Sequence, residues 1–534
     1  MFRKFFILIT ILCLLLQADF VLAQTLTPND PYYNKQWYLD TLNMPEVWPQ
    51  EIGSSSVVIA VIDSGVDIGH PDLHDNIWVN QKEIGGDSID NDQDGYVDDL
   101  NGWDFIDNDN DPRPKYSSNC IADLTCVQEA IYHGTLISGI AAAVGNNSQG
   151  IAGIGWQTKI MPLRVLDDYG NGSTENVVQA IDYAIKNKAD IINLSFVGSD
   201  YDGQLAAGIE RAYNAGIVIV GSAGNSELNW VFNNEVQGFV QTSQPVDLDV
   251  NKRYPVCYLS GQGEKMLIGV ASSDANNVLS KFSNYGSSCV DVVAPGQDVF
   301  GALVYDANAP RLNEYYGGNF SGTSLAAPVV AGIAALIKAR QPNLTNKQIR
   351  DLILNNTYNI DNLNPTLAGK LGHGLIDPVK IFKVMAVSGI GSKLIKSDEK
   401  TIYYLASNGK RYVFPDDQTF LSWFDNFDGI KQVSNSDLAQ IPFGGIITYR
   451  PGSLIKITTD PKVYEVSKGG VLRWLVDEQA ASLFYGSNWP NQVHDVSDAF
   501  FTNYKLGDNL DATVSFNPLT EKLSVGSIEE NLGL

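Results

Sequence analysis

The sequence is poor in cysteine, in methionine and in positive charge. Its 534 residues include five Cys and five Met, and 36 Lys and Arg stand against 61 Asp and Glu, a formal net charge of −25. This balance argues against a nucleic-acid-binding protein and against binding to an anionic membrane surface. A hydrophobic fraction of 44% suffices for a sizeable core, so the composition excludes a wholly disordered chain.

Long apolar runs are also rare. A short basic segment precedes the apolar stretch 5–16, and Val21-Leu22-Ala23 supplies small residues for cleavage. We therefore expect residues 1–23 to be a signal peptide and the mature chain to start at Gln24. No other apolar run reaches about 18 residues, so the sequence predicts no transmembrane span. We expect a secreted or cell-surface protein, and a bacterial one, because N-glycosylation sequons fall at unsuitable positions such as Asn193 on a predicted buried strand.

Four cysteines remain after the signal peptide, and an even number in an exported protein indicates disulfides. Three pairings of Cys120, Cys126, Cys257 and Cys289 are possible. We favour Cys120–Cys126, which closes a short loop, together with Cys257–Cys289. A zinc site is the less favoured alternative, because the cysteines lack C-x-x-C spacing and nearby histidines.

Residues 57–340 alternate between the patterns of buried strands and helices. Residues 57–62 form a continuous apolar run, as expected of a strand buried on both faces. Further strand patterns occur at 191–195, 217–220, 267–270 and 290–293, and helical patterns at 174–188 and 204–215. This alternation predicts an α/β fold with a mostly parallel sheet flanked by helices. In such sheets functional residues lie beyond the carboxyl ends of the strands.

The rest of the chain is aromatic-rich and repeats itself. Leu394-Ile395-Lys396 recurs as Leu454-Ile455-Lys456, and Asp416-Asp417-Gln418 as Asp477-Glu478-Gln479, a period of about 61 residues. We therefore expect an internally duplicated, β-rich C-terminal module that contacts the cell surface or the substrate. The predicted organisation is a main domain at 24–386, a linker at 387–392, the module at 393–520 and a tail at 521–534.

Three polar residues stand at a strand end or a helix start, each in a glycine-containing motif. They occur in Asp63-Ser64-Gly65, in His133-Gly134-Thr135 and in Gly322-Thr323-Ser324, the last before a helix of small residues. Taken singly, Asp63 could cap a helix or turn, His133 could be structural and Ser324 could be an N-cap. Together they follow the order Asp, His, Ser, which is the chain order of the subtilisin triad.

On these motifs, residues 29–385 resemble the subtilisin-like serine proteases. The resemblance implies a serine endopeptidase acting on polypeptides, with Ser324 as nucleophile, His133 as general base and then acid, and Asp63 orienting the imidazole. Gly221-Ser222-Ala223-Gly224-Asn225 resembles the family's oxyanion-hole segment, which implies that the Asn225 amide stabilises the oxyanion. The alternative is an inactive protease fold that serves as a binding or surface protein. A lost triad residue would favour it, and none is lost.

Residues 193–198 resemble the family's edge segment, which binds the substrate backbone as an added strand. The implied substrate contacts are Ser195, Phe196, Val197, Ala223 and Gly224. Most relatives have Gly in place of Val197, so its side chain is expected to narrow the primary specificity pocket, whose other wall is Ala223 and Gly224. Leu325 replaces the methionine that commonly follows the nucleophile.

Residues 83–111 contain 11 acidic residues and no Lys or Arg. The run 90–95 has Asp at its first, third and fifth positions and Gly at its sixth, as at the start of an EF-hand calcium loop. Asn101 stands where a Glu would close that loop, so a solvated acidic insertion is the alternative. The resemblance implies two further calcium ligands outside this insertion. The candidate Ca²⁺ ligands are Asp30, Asp72, Asp90, Asp92 and Asp94.

Overall fold

A computed structural model describes most of the chain. The described residues are 25–116, 128–233, 238–309, 311–388, 393–406, 408–457 and 459–534. The chain divides into two compact units, 1–379 and 380–534. The predicted signal peptide and the predicted Cys120–Cys126 bridge lie outside the described residues. The Cys257–Cys289 disulfide is present, which confirms that prediction.

The strands of the first unit build one large sheet and two ribbons. In chain order they are β1 Val58–Asp63, β2 Trp103–Asp104, β3 Lys159–Arg164, β4 Ile191–Leu194, β5 Val218–Ser222, β6 Glu227–Asn233, β7 Gly238–Gln244, β8 Leu267–Ser273, β9 Val292–Pro295, β10 Val299–Ala302, β11 Tyr316–Phe320, β12 Thr357–Tyr358 and β13 Leu375–Ile376. The sheet has the order β12-β13-β9-β8-β5-β4-β1-β3-β2, and β6–β7 and β10–β11 form the ribbons. Every neighbouring pair of the sheet is parallel except β12–β13.

Helices cover the sheet of the first unit. They are α1 Trp37–Thr41, α2 Met44–Val47, α3 Gln128–Ala142, α4 Thr174–Lys186, α5 Gly203–Asn214, α6 Thr323–Arg340 and α7 Asn346–Asn355, and α8 Pro378–Ser388 spans the division between the units. Val58, Ala60 and Ile62 of β1 share a core cluster with α4 and α5. The alternate residues of β1 face the other side of the sheet, where α3 and α6 pack.

The α/β fold predicted from the sequence is therefore confirmed. Each of the five predicted strands and both predicted helices is present, with ends that differ by at most three residues. Strand β3 was not predicted, because Pro162 and two basic ends interrupt its apolar pattern. In the described part of the chain, only α6 is long and apolar enough to cross a membrane, and 78% of it is buried inside the protein.

The second unit contains the predicted duplication. Its strands are β14 Leu394–Lys396, β15 Ile402–Leu405, β16 Arg411–Val413, β17 Lys431–Gln432, β18 Phe443–Ile446, β19 Leu454–Ile457, β20 Tyr464–Ser467, β21 Val471–Trp474, β22 Val493–Val496 and β23 Lys505–Leu506. Its helices are α9 Asp417–Trp423, α10 Asn435–Gln440, α11 Glu478–Tyr485, α12 Asp498–Phe501, α13 Pro518–Leu523 and α14 Ile528–Leu532. Two sheets result, β17-β14-β15-β16-β18 and β22-β19-β20-β21-β23, with equivalent strand orders.

The C-terminal helix α14 connects the two repeats. Ile528 is buried in the core cluster of the first repeat. The next two residues are acidic, and each forms an ion pair with one repeat: Glu529 with Lys393 at 2.8 Å and Glu530 with Lys468 at 3.0 Å. Residues 528–532 therefore pack against the repeated module, whereas the sequence-based organisation set them apart from it as a tail.

Candidate active site

Asp63 and His133 are brought together at the carboxyl end of β1. The His133 imidazole and the Asp63 carboxylate are joined by an Nδ1–Oδ1 hydrogen bond of 2.8 Å. Asp63 is fully buried, whereas a quarter of the His133 side chain is exposed.

A glycine lets helix α3 approach β1 closely enough for this contact. A Cβ atom at Gly134 would lie 2.2 Å from the Gly65 carbonyl oxygen and 3.2 Å from the Asp63 Cβ. The Gly134 N–H also donates to the Ser64 hydroxyl at 3.1 Å. The glycines that flank Asp63 and His133 in the sequence are therefore needed for packing, since any side chain at 134 would push the imidazole away from its carboxylate.

Ser324 lies in the first turn of α6. The N-cap of this helix is Gly322, not Ser324, so the N-cap interpretation of the serine is wrong. A Cβ atom at Gly322 would lie 2.8 Å from Ser324 Oγ and 3.4 Å from Asn225 Nδ2. The serine hydroxyl and the asparagine amide therefore converge beside the same glycine.

Helix packing places Ser324 on the same side of the sheet as His133. Both α3 and α6 begin at the carboxyl ends of parallel strands, so they run in the same direction. They touch where Gly332 meets the Ala141 carbonyl, since a Cβ at Gly332 would lie 2.9 Å from that oxygen. Gly332 follows Ser324 by eight residues, and Ala141 follows His133 by eight residues. Ser324 and His133 therefore project from equivalent levels of two neighbouring helices.

Thr323 fixes the orientation of the Asn225 side chain. Asn225 Oδ1 accepts hydrogen bonds from the Thr323 N–H at 2.9 Å and from its hydroxyl at 3.0 Å. The Gly224 N–H donates to the same hydroxyl at 3.0 Å. Since the amide oxygen is occupied, Nδ2 is the atom that faces Ser324. No role was predicted for Thr323 from the sequence, although it adjoins Ser324 in the same motif.

The edge segment contacts Ser324 and borders a pocket. The Ser195 hydroxyl donates to the Ser324 carbonyl at 2.9 Å and accepts from Asn193 Nδ2 at 2.9 Å. Of the predicted substrate contacts, Ser195 is therefore engaged with the backbone of Ser324. Ala223 is fully buried, and Phe196 and Val197 are half-buried.

Val197 lies directly opposite Gly224. A Cβ at Gly224 would lie 2.7 Å from Val197 Cγ2 and 2.8 Å from Asn284 Nδ2, and Gly224 has a positive φ of 87°. Asn284 donates through its side chain to the Ala223 carbonyl at 3.0 Å and through its backbone to Gly224 at 3.0 Å. Asn284 was missed in the sequence, because it is distant along the chain and belongs to no motif.

The acidic insertion brings three carboxylates together. Oxygen atoms of Glu83, Asp90 and Asp92 lie within 4.8 Å of one another. Glu83 Oε2 and Asp92 Oδ1 are buried and accept no hydrogen bond from any described residue. Only 7% of Glu83 and 3% of the Asp92 side chain are exposed. Buried carboxylate oxygens without a donor are costly, and their convergence fits a hard cation such as Ca²⁺.

The predicted ligand Asp94 does not belong to this group. Its carboxylate accepts from the Tyr96 N–H at 3.0 Å and from Asn187 Nδ2 at 3.1 Å. Glu83 takes its place, a residue seven positions before the EF-hand-like run that sequence analysis did not select. Burial raises the pKa of Asp94, and it raises the pKa of nearby Asp99 to about 7. The insertion thus buries carboxyl groups and has no Lys or Arg of its own to pair with them.

Asp30 and Asp72 both contact the loop 146–151. Asp30 accepts from the N–H groups of Asn146 at 2.7 Å and Asn147 at 3.1 Å. Asp72 accepts from Asn147 Nδ2 at 3.0 Å and from the Ile151 N–H at 2.8 Å. The structure brings these two predicted ligands to one loop, where each carboxylate oxygen already has a donor. Calcium binding at this pair stays a prediction.

Comparisons with known proteins agree with this geometry. The model of the Subtilase family, Peptidase S8, matches residues 54–374, which is more than half of the chain. The chain belongs to the subtilase family. It is 34% identical over 340 residues to Subtilisin-like protease 1 of Plasmodium berghei, an alignment that covers 62% of this chain and 51% of that protein. The matched region thus spans about half the length of that relative.

Two further relatives are matched over most of their own length. Thermitase of Thermoactinomyces vulgaris is 32% identical over 321 residues, which are 60% of this subtilase and 88% of thermitase. A solved structure described as proteases from Pseudoalteromonas arctica PAMC 21717 has a TM-score of 0.50 and 28% identity. It covers 66% of this chain, and 98% of the solved chain is matched.

Proposed function

We propose that this subtilase is a serine endopeptidase that hydrolyses peptide bonds through an acyl-enzyme on Ser324. The observation that carries the proposal is the convergence of the Ser324 hydroxyl and the Asn225 amide beside Gly322. A nucleophile and an oxyanion donor at one point are what acyl transfer requires. The similarity to subtilisin-like proteases supports the same activity.

Acylation begins at His133. Its Nε2 removes the Ser324 proton as Oγ attacks the scissile carbonyl carbon, and the C=O electron pair moves onto the carbonyl oxygen. Asp63 holds the imidazole through the 2.8 Å bond to Nδ1, which selects the tautomer that carries its proton on Nδ1. Asp63 Oδ2 is buried and accepts no hydrogen bond from the described residues. A buried carboxylate of this kind stabilises the imidazolium that forms.

Asn225 Nδ2 donates to the oxyanion of the tetrahedral intermediate. The intermediate collapses when His133 returns its proton to the leaving amine nitrogen and the C–N bond breaks. Water then attacks the ester with His133 again as base, which releases the acid product and restores Ser324. Because Thr323 holds the amide oxygen of Asn225, the donor is oriented before substrate arrives, and preorganised donors of this kind account for much of the rate enhancement.

The pocket between Val197 and Gly224 binds the side chain that precedes the scissile bond. The Val197 methyl groups fill space opposite Gly224, so this pocket favours small side chains over aromatic ones. The Asn284 hydrogen bonds to residues 223 and 224 hold the other wall in place.

Calcium stabilises the fold in this proposal and takes no part in the chemistry. Glu83, Asp90 and Asp92 would hold one ion, and the charge of that ion would relieve the repulsion among their carboxylates. Asp30 and Asp72 are the predicted ligands of a second. The apolar leader at 1–23 and the Cys257–Cys289 disulfide support export to an oxidising compartment, with the C-terminal unit serving in attachment or substrate capture.

The test is hydrolysis of internally quenched peptides by the wild-type protein and by Ser324→Ala. Loss of the nucleophile lowers kcat by roughly 10⁶-fold. Cleavage within the peptide, rather than removal of terminal residues, marks an endopeptidase. A folded wild-type protein that is no more active than Ser324→Ala would instead favour the inactive binding protein.

A further inference from the structure

A cavity of about 220 Å³ borders the edge segment, and Phe196, Val197 and Gly198 are among its lining residues. Phe196 packs in the core cluster formed with α4 and α5, and residues of those helices line the cavity. Val197 packs instead in the cluster that contains Ala223. Phe196 therefore lies on the cavity side of the edge segment, whereas Val197 lies between the cavity and the Val197–Gly224 pocket.

Aromatic and acidic residues form the outer part of this cavity. Asp200, Asp202 and Tyr254 line it, and no Lys or Arg is among its lining residues. Tyr254 is held against the edge segment by two backbone hydrogen bonds with Gly198, of 2.7 and 2.9 Å. Its ring contacts the exposed Tyr201 at a centroid distance of 5.4 Å. One side of the cavity is thus a tyrosine face beside two carboxylates.

The surrounding backbone adds negative charge. The two segments that line the cavity, 165–175 and 196–205, contain five acidic residues and no basic ones. None of these five forms an ion pair with another described residue. Arg164 precedes the first segment, but its guanidinium is paired with Asp104 and Asp107. Arg253 precedes Tyr254, and its guanidinium donates to the Lys252 carbonyl at 2.9 Å. The potential at the cavity is therefore negative, and it attracts cationic groups.

We propose that this cavity binds a lysine or arginine side chain of the substrate, and that Asp200 and Asp202 select it. The apolar floor accommodates the methylene stem, while the charged head lies between the two carboxylates and the Tyr254 ring. This inference rests on the proposed function, because it names the class of polypeptide that the active site cleaves.

The strand geometry restricts where the basic residue lies. A substrate paired with the edge segment places alternate side chains on opposite faces. If the residue before the scissile bond enters the Val197–Gly224 pocket, the residue in the cavity is an odd number of positions away. The selected basic residue is therefore the second or the fourth before the cleaved bond.

The test uses quenched peptides with one scissile bond and Lys, norleucine or Glu at the second, third or fourth position before it. Norleucine has the length of lysine without its charge. At the second or fourth position, kcat/KM should fall in the order Lys, norleucine, Glu, by about tenfold per step. The third position should show no such order. Asp200→Asn combined with Asp202→Asn should remove the preference, while Asp75→Asn, an exposed aspartate elsewhere, should retain it.

Asparagine is a suitable replacement at 202, because Asp202 caps α5 and asparagine caps helices equally well. Binding of the same peptides to Ser324→Ala, measured by fluorescence anisotropy, separates the two proposals. If wild-type protein cleaves nothing but Ser324→Ala binds Lys peptides more tightly than norleucine peptides, only the proposed function fails. Equal affinity and equal kcat/KM for Lys, norleucine and Glu at both the second and the fourth position would overturn the basic preference. The proposal is also overturned if the preference for Lys survives in the variant with Asp200→Asn and Asp202→Asn.

Discussion

Gly322→Ala should reduce catalysis while leaving the fold intact. The new Cβ would lie 2.8 Å from Ser324 Oγ and 3.4 Å from Asn225 Nδ2. Favourable carbon contacts lie near 3.5 Å, so Oγ must move by roughly 0.5 Å or more. A misplacement of about 1 Å costs about 10²-fold in rate, so we expect kcat to fall roughly 10- to 100-fold. KM should change little, because the edge segment and its pockets are untouched.

Stability should not follow activity in this variant. Gly322 has a φ of 175°, an extended conformation that alanine adopts without strain. Replacing glycine by alanine at a compatible position changes stability by less than about 1 kcal/mol, through the entropy of the unfolded chain. The assay is kcat on a quenched peptide beside the melting temperature of the same sample. Gly261→Ala is the matched control, because no atom lies within 4 Å of its added Cβ. Wild-type kcat in folded Gly322→Ala would refute the assigned roles of Ser324 and Asn225.

Four further predictions address the metal, the pocket, oxidation and pH. Excess chelator should lower the melting temperature, because the folded state loses about 2.7 kcal/mol of stability if calcium was present at ~100 times its Kd. The fall should be smaller in Glu83→Gln. An unchanged melting temperature would favour the solvated acidic insertion. In Val197→Gly, kcat/KM for a peptide with Phe before the scissile bond should rise about tenfold relative to kcat/KM for the peptide with Ala at that position. An unchanged ratio of the two values would remove Val197 from the pocket. Peroxide should inactivate the wild type slowly, because its four described methionines are at most 2% exposed. Leu325→Met should lose activity faster, because its sulfur adjoins Ser324. Equal rates of inactivation would show that position 325 is not decisive. Burial raises the pKa of Glu465 to about 7, so the folded second unit keeps this proton longer than the unfolded chain does. The stability of that unit should decline by up to about 3 kcal/mol as pH rises from 5 to 8, and calorimetry of Glu465→Gln should show a flatter dependence.

The sheet was readable from the sequence because its signals are local. A strand buried on both faces must be apolar throughout, as in 57–62. The predicted catalytic residues Asp63, His133 and Ser324 also lie in short motifs, beside glycines that allow close packing. Strand β3 was missed because Pro162 breaks the pattern that identifies its neighbours. The residues that support the site were harder to find, since Asn284 reaches 223 and 224 only through the folded chain.

The predicted metal ligands show the same limit. The spacing of 90–95 indicated a calcium loop, and Asp90 and Asp92 do lie together. Spacing alone could not show that Asp94 accepts a hydrogen bond from Asn187, the residue that follows helix α4. Nor could it show that Glu83 lies beside Asp90 and Asp92. Such choices depend on which backbone amides and side chains meet each carboxylate after folding.

Labelling with a fluorophosphonate probe tests the central claim most directly, because the probe reacts only with an activated serine. We predict one covalent adduct on Ser324 in the wild type, identified by mass spectrometry of the digested protein. We predict none in Ser324→Ala, and labelling slowed by several orders of magnitude in His133→Ala. A folded wild-type protein that never reacts, or an adduct that persists in Ser324→Ala, would contradict the assignment of Ser324 as the nucleophile.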